Sequence, residues 1–454
     1  MNPKPAGALS KLSRLLRGSG GRELIPAALK VGSCALTVKA LAAGKELLVA
    51  YRFGTSAELD AYLFAYLFPA FLINILSGSL QSAFVPKLLA AQVAADHDRA
   101  SRLVGAASVV VLGLLICVAL VTLPIAVAAI PRLARGFDGA TIDSCQTLVM
   151  WLMPLLVLNG LAGFWTGVLN AQRRLVYAAL VPATTPLVVA ASLWLLWDES
   201  GILAVVIGMY VGAAVELWLT MSGLRSTGVR LFAGLRGLAA DFRALVSQFW
   251  PAAGANALMS TTTMIDQVFA AALTSGSVAA LAYGTRITGV VSSVMVMAIS
   301  TVTLPFFSRL AAEADLPALK RGLKVSALLV LAFGLPAAIL IATSSQAIIA
   351  TFYERGAFSA EDTQLVSSIQ VWHALQIPVY ALSIVAVRFI AAMSATRILL
   401  LGAAVNVLTD LAFNAWLTPR IGVPGVAIAN VAMYTVSCVF LWSAAIWRLR
   451  TAAP

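Results

Sequence analysis

The chain predicts an all-α, polytopic membrane fold: about twelve transmembrane helices in two six-helix halves around a central cavity. Three observations lead there. Its 454 residues are 61% hydrophobic and only 11% charged, with a mean hydropathy of +0.93, whereas a soluble domain carries roughly a quarter charged residues. The apolar residues gather into twelve stretches, each long enough for the ~20 helical residues that cross a hydrocarbon core of ~30 Å. Lys and Arg are dense in alternate loops, the positive-inside pattern of a chain with both termini in the cytoplasm.

Taken in order, residues 1–28 form a basic cytoplasmic tail (Lys4, Lys11, Arg14, Arg17, Arg22), in which Leu12 to Arg17 suits a short amphipathic turn on the membrane surface. The first span, 29–53, is of full length and has no evident cleavage site, so it reads as a retained helix rather than a signal peptide. Span 60–86 is long enough to tilt or kink, and Lys87, Arg99 and Arg102 follow it. Spans 104–130 and 145–170 come next, then Arg173 and Arg174, and spans 176–197 and 201–224 complete an N-terminal half, 29–225. The linker 226–243 mixes Leu and Phe with Arg230, Arg236 and Arg243, a composition suited to an interfacial helix on the cytoplasmic face.

The second half, 244–450, repeats the plan with spans 247–273, 277–305, 323–350, 364–392, 397–417 and 423–447. Its cytoplasmic side holds Arg309, Lys320, Arg321, Lys324, Arg397, Arg448 and Arg450. The opposite side keeps only Arg52, Arg132, Arg135, Arg355 and Arg420. The net charge of +12 is therefore topogenic and meets anionic lipid heads, not nucleic acid. Cys34, Cys117 and Cys438 lie within spans and Cys145 at a helix end, so no disulfide framework is expected. Trp151, Trp197, Trp250 and Trp447 near span ends read as interfacial anchors.

A weak internal repeat about 220 residues apart supports the two halves. Pro86 falls over Pro305, Arg135-Gly136 over Arg355-Gly356, and Gly201 with Val205 over Gly422 with Val426. At a slightly larger offset Pro154 falls over Pro378, and Asn170-Ala171-Gln172-Arg173 over Ser394-Ala395-Thr396-Arg397. Six spans per repeat leave the halves in the same orientation, and transporters built from such repeats bind substrate between them near the midplane.

Eight charged residues lie inside these spans: Lys39, Lys45, Glu46, Glu216, Asp266, Arg286, Arg388 and Asp410. Ionisable groups in hydrocarbon are costly and mark cavities or pathways. Lys39 and Glu46 are seven apart and share a helix face, while Lys45, Glu46, Asp266 and Arg286 lie at similar depth below the outer ends of their helices. A cavity between the first and the seventh-to-eighth helices results, and its cations suit a phosphate or diphosphate. The bland alternative is structural pairing, Asp266 with Arg286 or Asp410 with Arg388. Asn74, Ser77, Gly78 and Gln81 form a polar stripe on the second span, facing either that cavity or a neighbouring helix. Asn406 and Asp410 share a face of the eleventh span, with Asn430 in the twelfth. Together with Asp266 they offer oxygens that suit a hard cation such as sodium, or else hydrogen bonds between helices.

The first hairpin, from Lys39 through Gly44-Lys45-Glu46, Arg52-Phe53-Gly54 and Asp60-Ala61-Tyr62 to Phe84-Val85-Pro86, resembles the MviN/MurJ family of lipid-linked precursor flippases, within the multidrug/oligosaccharidyl-lipid/polysaccharide exporter superfamily. Ser275-Gly276-Ser277 to Arg286, Thr303-Leu304-Pro305 and Tyr353-Glu354-Arg355-Gly356-Ala357-Phe358 extend the likeness over most of the chain. The resemblance implies that Lys39, Lys45 and Arg286 meet the diphosphate, that Glu46 and Asp60 stand at family positions, and that Asp266, Asn406, Asp410 and Asn430 match a sodium site of some members. Two departures follow: Phe71-Leu72-Ile73-Asn74 lacks an arginine pair usual there, and twelve spans are present where peptidoglycan-precursor members have fourteen.

The expected function is thus a flippase that moves a polyprenyl-diphosphate-linked saccharide across the bacterial cytoplasmic membrane by alternating access. Its substrate is a lipid II-like peptidoglycan precursor or an exopolysaccharide or O-antigen repeat unit. Expected substrate-binding residues are Lys39, Lys45, Glu46, Asp60, Asn74, Gln81 and Arg286. Sodium is a candidate coupling ion, no other cofactor is expected, and partners are membrane lipids and envelope-synthesis proteins. The alternatives are a cation-coupled multidrug exporter of the same superfamily, a membrane glycosyltransferase or polymerase using Asp96-His97-Asp98, and a silent scaffold. No Walker motif or metal cluster supports an enzyme.

Overall fold

A computed structural model describes residues 19–94, 97–232 and 239–451, and all the regular structure in them is helical. The helices are α1 (Ser19–Phe53), α2 (Ala57–Val93), α3 (His97–Leu133), α4 (Gly139–Leu152 with Leu155–Ala171), α5 (Leu175–Leu180, the turn Val181–Ala183 and Thr184–Ser200) and α6 (Ile202–Arg225). They continue with α7 (Ala239–Ala271), α8 (Ser277–Ala312), α9 (Leu316–Tyr353), α10 (Ala360–Ala392), α11 (Thr396–Ile421) and α12 (Val423–Thr451). Among the described residues nine helices are long and apolar enough to cross a membrane, or ten with the bent pair of α4. The two long helices outside that set, α1 and α7, are the ones that carry Lys39, Lys45 and Glu46, and Asp266.

Most of the tail (residues 1–18), Asp96 and residues 233–238 of the linker lie outside the described residues, as do the side chains of Arg22, His97, Trp197 and Asp198. Asp98 forms an exposed pair with Arg102 at 3.2 Å, one helical turn away. The belt residues Trp151, Trp250 and Trp447 are exposed.

Breaks and caps follow local chemistry. Pro154 has no N–H to give the preceding turn, and α4 bends there by 42°. Ser56 caps α2 by accepting from the Leu59 N–H at 3.3 Å. Ser359 and Asp362 cap α10 reciprocally, each satisfying an N–H that the first turn leaves free.

The two halves pack alike. Within the first, α2 lies on α4, α4 on α6, α5 on α6, α1 on α5 and α3 on α4; within the second, α8 lies on α10, α10 on α12, α11 on α12, α7 on α11 and α9 on α10. Their turns match in detail. Arg173 (φ 59°) and Ser394 (φ 55°) are left-handed residues that close α4 and α10. The hydrogen bonds correspond: Arg173 N–H to Asn170 O and Arg174 N–H to Leu169 O, against Ser394 N–H to Ala391 O and Ala395 N–H to Ile390 O. The repeat therefore runs at an offset of 221 here, three residues short of the register that aligns Asn170 with Ser394. Pro378 accordingly lies almost one turn beyond the place of Pro154. Symmetry fails between the halves, where α2 packs along α7 while α1 and α8 meet sparsely, for instance where Gly32 lies beside Met297.

Candidate functional site

Backbone hydrogen bonds join the two halves at the distal end, the end away from the chain termini. Gly136 N–H donates to Ala271 O at 3.1 Å, and Ala357 N–H donates to Tyr51 O at 2.9 Å. These are repeat-related: each half's Arg-Gly loop holds the last turn of the other half's first helix. The approach needs glycine, since a Cβ on Gly136 would stand 1.7 Å from Leu273 O and one on Gly356 2.3 Å from Tyr51 O. Around this pair, Thr55 donates to Asp362. Tyr353 and Phe358 pack on Tyr283, with ring centroids 5.3 and 5.6 Å away. The Tyr353–Phe358 motif is thus a closure element.

Asp60 belongs to the same closure. It is fully buried, and its two oxygens accept from Gly276 N–H at 2.6 Å and Ala279 N–H at 2.8 Å. A carboxylate at a helix N-terminus meets free donors and the positive end of the dipole, so Asp60 caps α8 across the interface. Glu58, two residues earlier on α2, does the same for α6 through Ile202 N–H at 2.9 Å.

Proximal to this closure lies the charged cluster. Glu46 Oε1 is 2.7 Å from Lys45 Nζ and 2.6 Å from an Arg286 terminal nitrogen. Glu46 lies eight residues before Gly54, about 12 Å along the helix. Its side chain is only 13% accessible, whereas that of Arg286 keeps 46%. One carboxylate between two cations leaves the cluster with one net positive charge. Lys39 is exposed and, among the described residues, has no ion-pair partner. The alternative pairing of Asp266 with Arg286 is not formed, because Glu46 occupies Arg286 and Asp266 faces other helices.

Asp266 instead accepts from Asn430 Nδ2 at 2.8 Å and Asn414 Nδ2 at 3.1 Å, and Asn414 also donates to Asp410 at 3.0 Å. Asp410 and Asn414 are fully buried, and among the described residues Asp410 Oδ2 and Asn406 Oδ1 have no hydrogen-bond partner. Two carboxylates and amide oxygens, one oxygen of each kind orphaned, fit a hard monovalent cation. The sequence reading missed Asn414 and Thr418, whose hydroxyl donates to Asn414 at 3.2 Å. The signal was present, because Asn406, Asp410, Asn414 and Thr418 recur every four residues along one face. Among the described residues no group of three or more His, Cys, Asp or Glu side chains could hold a metal, so any site here depends on the amides.

The remaining candidates separate. Arg388 donates to Ser300 at 2.9 Å, not to Asp410, and Glu216 accepts from Thr185 at 3.0 Å. Gln81 donates to Gly163 O at 3.0 Å and packs against Gly167, a contact inside the first half. Asn74 is exposed and lines a 300 Å³ pocket between α2 and α7.

Comparison with known proteins adds an independent observation. A family model described as lipid II flippase MurJ matches residues 49–453, a segment that begins just after Glu46. The probable lipid II flippase MurJ of Rhizobium meliloti (strain 1021) is 27% identical over 431 residues, 92% of this chain and 80% of that protein. That of Synechocystis sp. is 25% identical over 452 residues, 94% and 82%. A solved lipid II flippase MurJ in an inward closed conformation superimposes with a TM-score of 0.77 at 21% identity, over 93% of this chain and 89% of that one. An inward-facing MATE family transporter gives 0.73 at 16% identity, over 94% and 98%. At those identities the two structures speak for the fold alone.

Proposed function

This chain belongs to the lipid II flippase MurJ family, and we propose that it carries a polyprenyl-diphosphate-linked saccharide across the bacterial cytoplasmic membrane by alternating access. It is a multi-pass membrane transporter acting on a lipid-linked peptidoglycan precursor. The observation that carries this reading for its own residues is the Lys45–Glu46–Arg286 cluster between the halves, net cationic and with the Arg286 side chain 46% accessible. A diphosphate arriving there competes with Glu46 for the two cations, and the Arg286 fork engages phosphate oxygens in pairs. Lys39 adds a further positive charge toward the proximal side. Asp60 caps α8 and Gln81 bonds to α4, and Asn74 lines the pocket between α2 and α7. No chemical step is part of this reading, and the halves correspond to residues 29–225 and 244–450 with the linker 226–243 between them. A multidrug exporter is weaker, since a net basic cavity repels cationic drugs. The direct test is reconstitution in vesicles with a fluorescent polyprenyl-diphosphate saccharide; no protein-dependent loss of inner-leaflet probe refutes it.

The termini are placed in the cytoplasm, so the distal closure faces outward. Thiol labelling of intact cells is then expected to reach a cysteine at Glu361 from outside and cysteines at Arg173 and Arg321 only after permeabilisation. Glu361 and Arg173 labelling from one side would refute the orientation and the span count together.

Sodium is proposed to bind among Asp266, Asn406, Asp410 and Asn430, with Asn414 orienting the carboxylates, and either its gradient or the membrane potential resets the cycle. A melting-temperature rise in sodium over potassium is expected for the wild type and should vanish in Asp410→Ala, which removes a hard ligand from a site of few. Equal melting temperatures of the wild type in both salts would reduce this cluster to hydrogen bonding. Envelope-synthesis proteins are proposed as partners.

A further inference from the structure

We infer that the pocket between α2 and α7 is a subsite for a neutral sugar unit of the transported headgroup, beside the cationic cluster that takes the diphosphate. The inference rests on the flippase reading and adds the chemistry of what is carried. The pocket encloses about 300 Å³ and is lined by Phe71 and Asn74 from α2 and by Asn256, Met259, Ser260 and Thr263 from α7, with no charged side chain among its lining residues. That volume is at the lower end for small-molecule sites.

Most of its polar groups are uncommitted. Thr261 and Thr262, on other faces of α7, donate back to their own helix, to Ala257 O at 2.7 Å and Met259 O at 3.4 Å. Among the described residues, Ser260, Thr263 and Asn74 make no side-chain hydrogen bond. Asn256 gives its Nδ2 to Ser79 at 3.0 Å, which leaves its carbonyl oxygen as an acceptor. Uncommitted amides and hydroxyls at mid-membrane depth are costly against lipid, so they belong to the water-filled cavity. An amide that donates and accepts, two hydroxyls and an aromatic face match sugar hydroxyls and the apolar side of a pyranose ring. A phosphate would find no cation here.

Depth agrees. Thr263 and Asn256 lie eight and fifteen residues before the end of α7 at Ala271, about 12 and 22 Å from its distal end. The pocket therefore begins at the level of Glu46 and runs proximally. A saccharide bonded directly to a diphosphate needs two such neighbouring sites, one charged and one neutral.

The test uses the full chain in lipid nanodiscs with two probes, N-acetylglucosamine and inorganic pyrophosphate, titrated by saturation-transfer NMR and calorimetry. Thr263→Val, which keeps shape and removes the hydroxyl, and Asn74→Leu should each weaken N-acetylglucosamine binding about fivefold, the loss of roughly one net hydrogen bond. Pyrophosphate affinity should be unchanged in both. Lys45→Ala should do the reverse. If the sugar does not bind saturably, or binds both variants as it binds the wild type, the subsite is overturned, while loss of pyrophosphate binding in Lys45→Ala would leave the flippase reading standing. Pyrophosphate binding indifferent to Lys45→Ala would overturn the diphosphate reading and this one with it.

Discussion

Lys45→Ala and Arg286→Gln are each expected to lower the rate of substrate flipping by at least about tenfold while the protein still inserts and folds, since a charge-assisted phosphate contact contributes more than a neutral one. Arg286→Lys should also be impaired, because an ammonium cannot reproduce the paired geometry of the guanidinium. Glu46→Gln is the informative companion. It strands Lys45 and Arg286, which Glu46 now holds at 2.7 and 2.6 Å, so the melting temperature should fall. The cost is about 1–3 kcal/mol, less than for a fully buried pair because Arg286 is 46% accessible. Added pyrophosphate should restore much of the loss by supplying the missing anion. Wild-type flipping rates in both Lys45→Ala and Arg286→Gln would remove the cluster from the transport mechanism, and a Glu46→Gln protein indifferent to pyrophosphate would show that the cations do not receive a diphosphate.

The other large effect is expected at the distal closure. Gly356→Val and Gly136→Val place a side chain where a Cβ alone would come within 2.3 Å of Tyr51 O and 1.7 Å of Leu273 O. Both obstacles are backbone, so no rotamer change relieves them. Overpacking of this kind costs about 2 kcal/mol, enough to shift a two-state equilibrium roughly thirtyfold toward the distal-open state. With the four native cysteines replaced and a reporter cysteine at Arg286, labelling by an impermeant thiol reagent from the outer side should accelerate accordingly. A converse variant guards against misfolding: Thr55→Cys with Asp362→Cys, across an existing side-chain hydrogen bond, should stop transport when oxidised and recover on reduction. Oxidised protein that transports normally would mean that these loops need not part during the cycle.

Much was legible in the chain because hydrophobicity and helical period are local properties. Span number, alternate loop charge, the two-half plan and the cation-bearing first and eighth helices follow from residue order alone. So does the face shared by Asn406 and Asp410, and the same four-residue spacing reaches Asn414 and Thr418. The family was legible in the first hairpin and the Tyr353–Phe358 motif, although the role of that motif in closing the distal end was not.

What the sequence could not determine is which helix each face meets. Period places Asp266 and Arg286 at similar depth and invites their pairing, but the rotation of α7 turns Asp266 toward Asn414 and Asn430, 148 and 164 residues away, and leaves Arg286 to Glu46. Asp60 looked like a cavity carboxylate until its oxygens met the N-terminus of α8, 216 and 219 residues on. Gly136 and Gly356 were matched positions of the repeat, but the need for glycine there showed only where each lay against the other half's backbone. Local propensity decides that a helix forms and which residues share its face. The rotation and partner of that face are set by close packing among helices distant in sequence, and only the tertiary structure decides them.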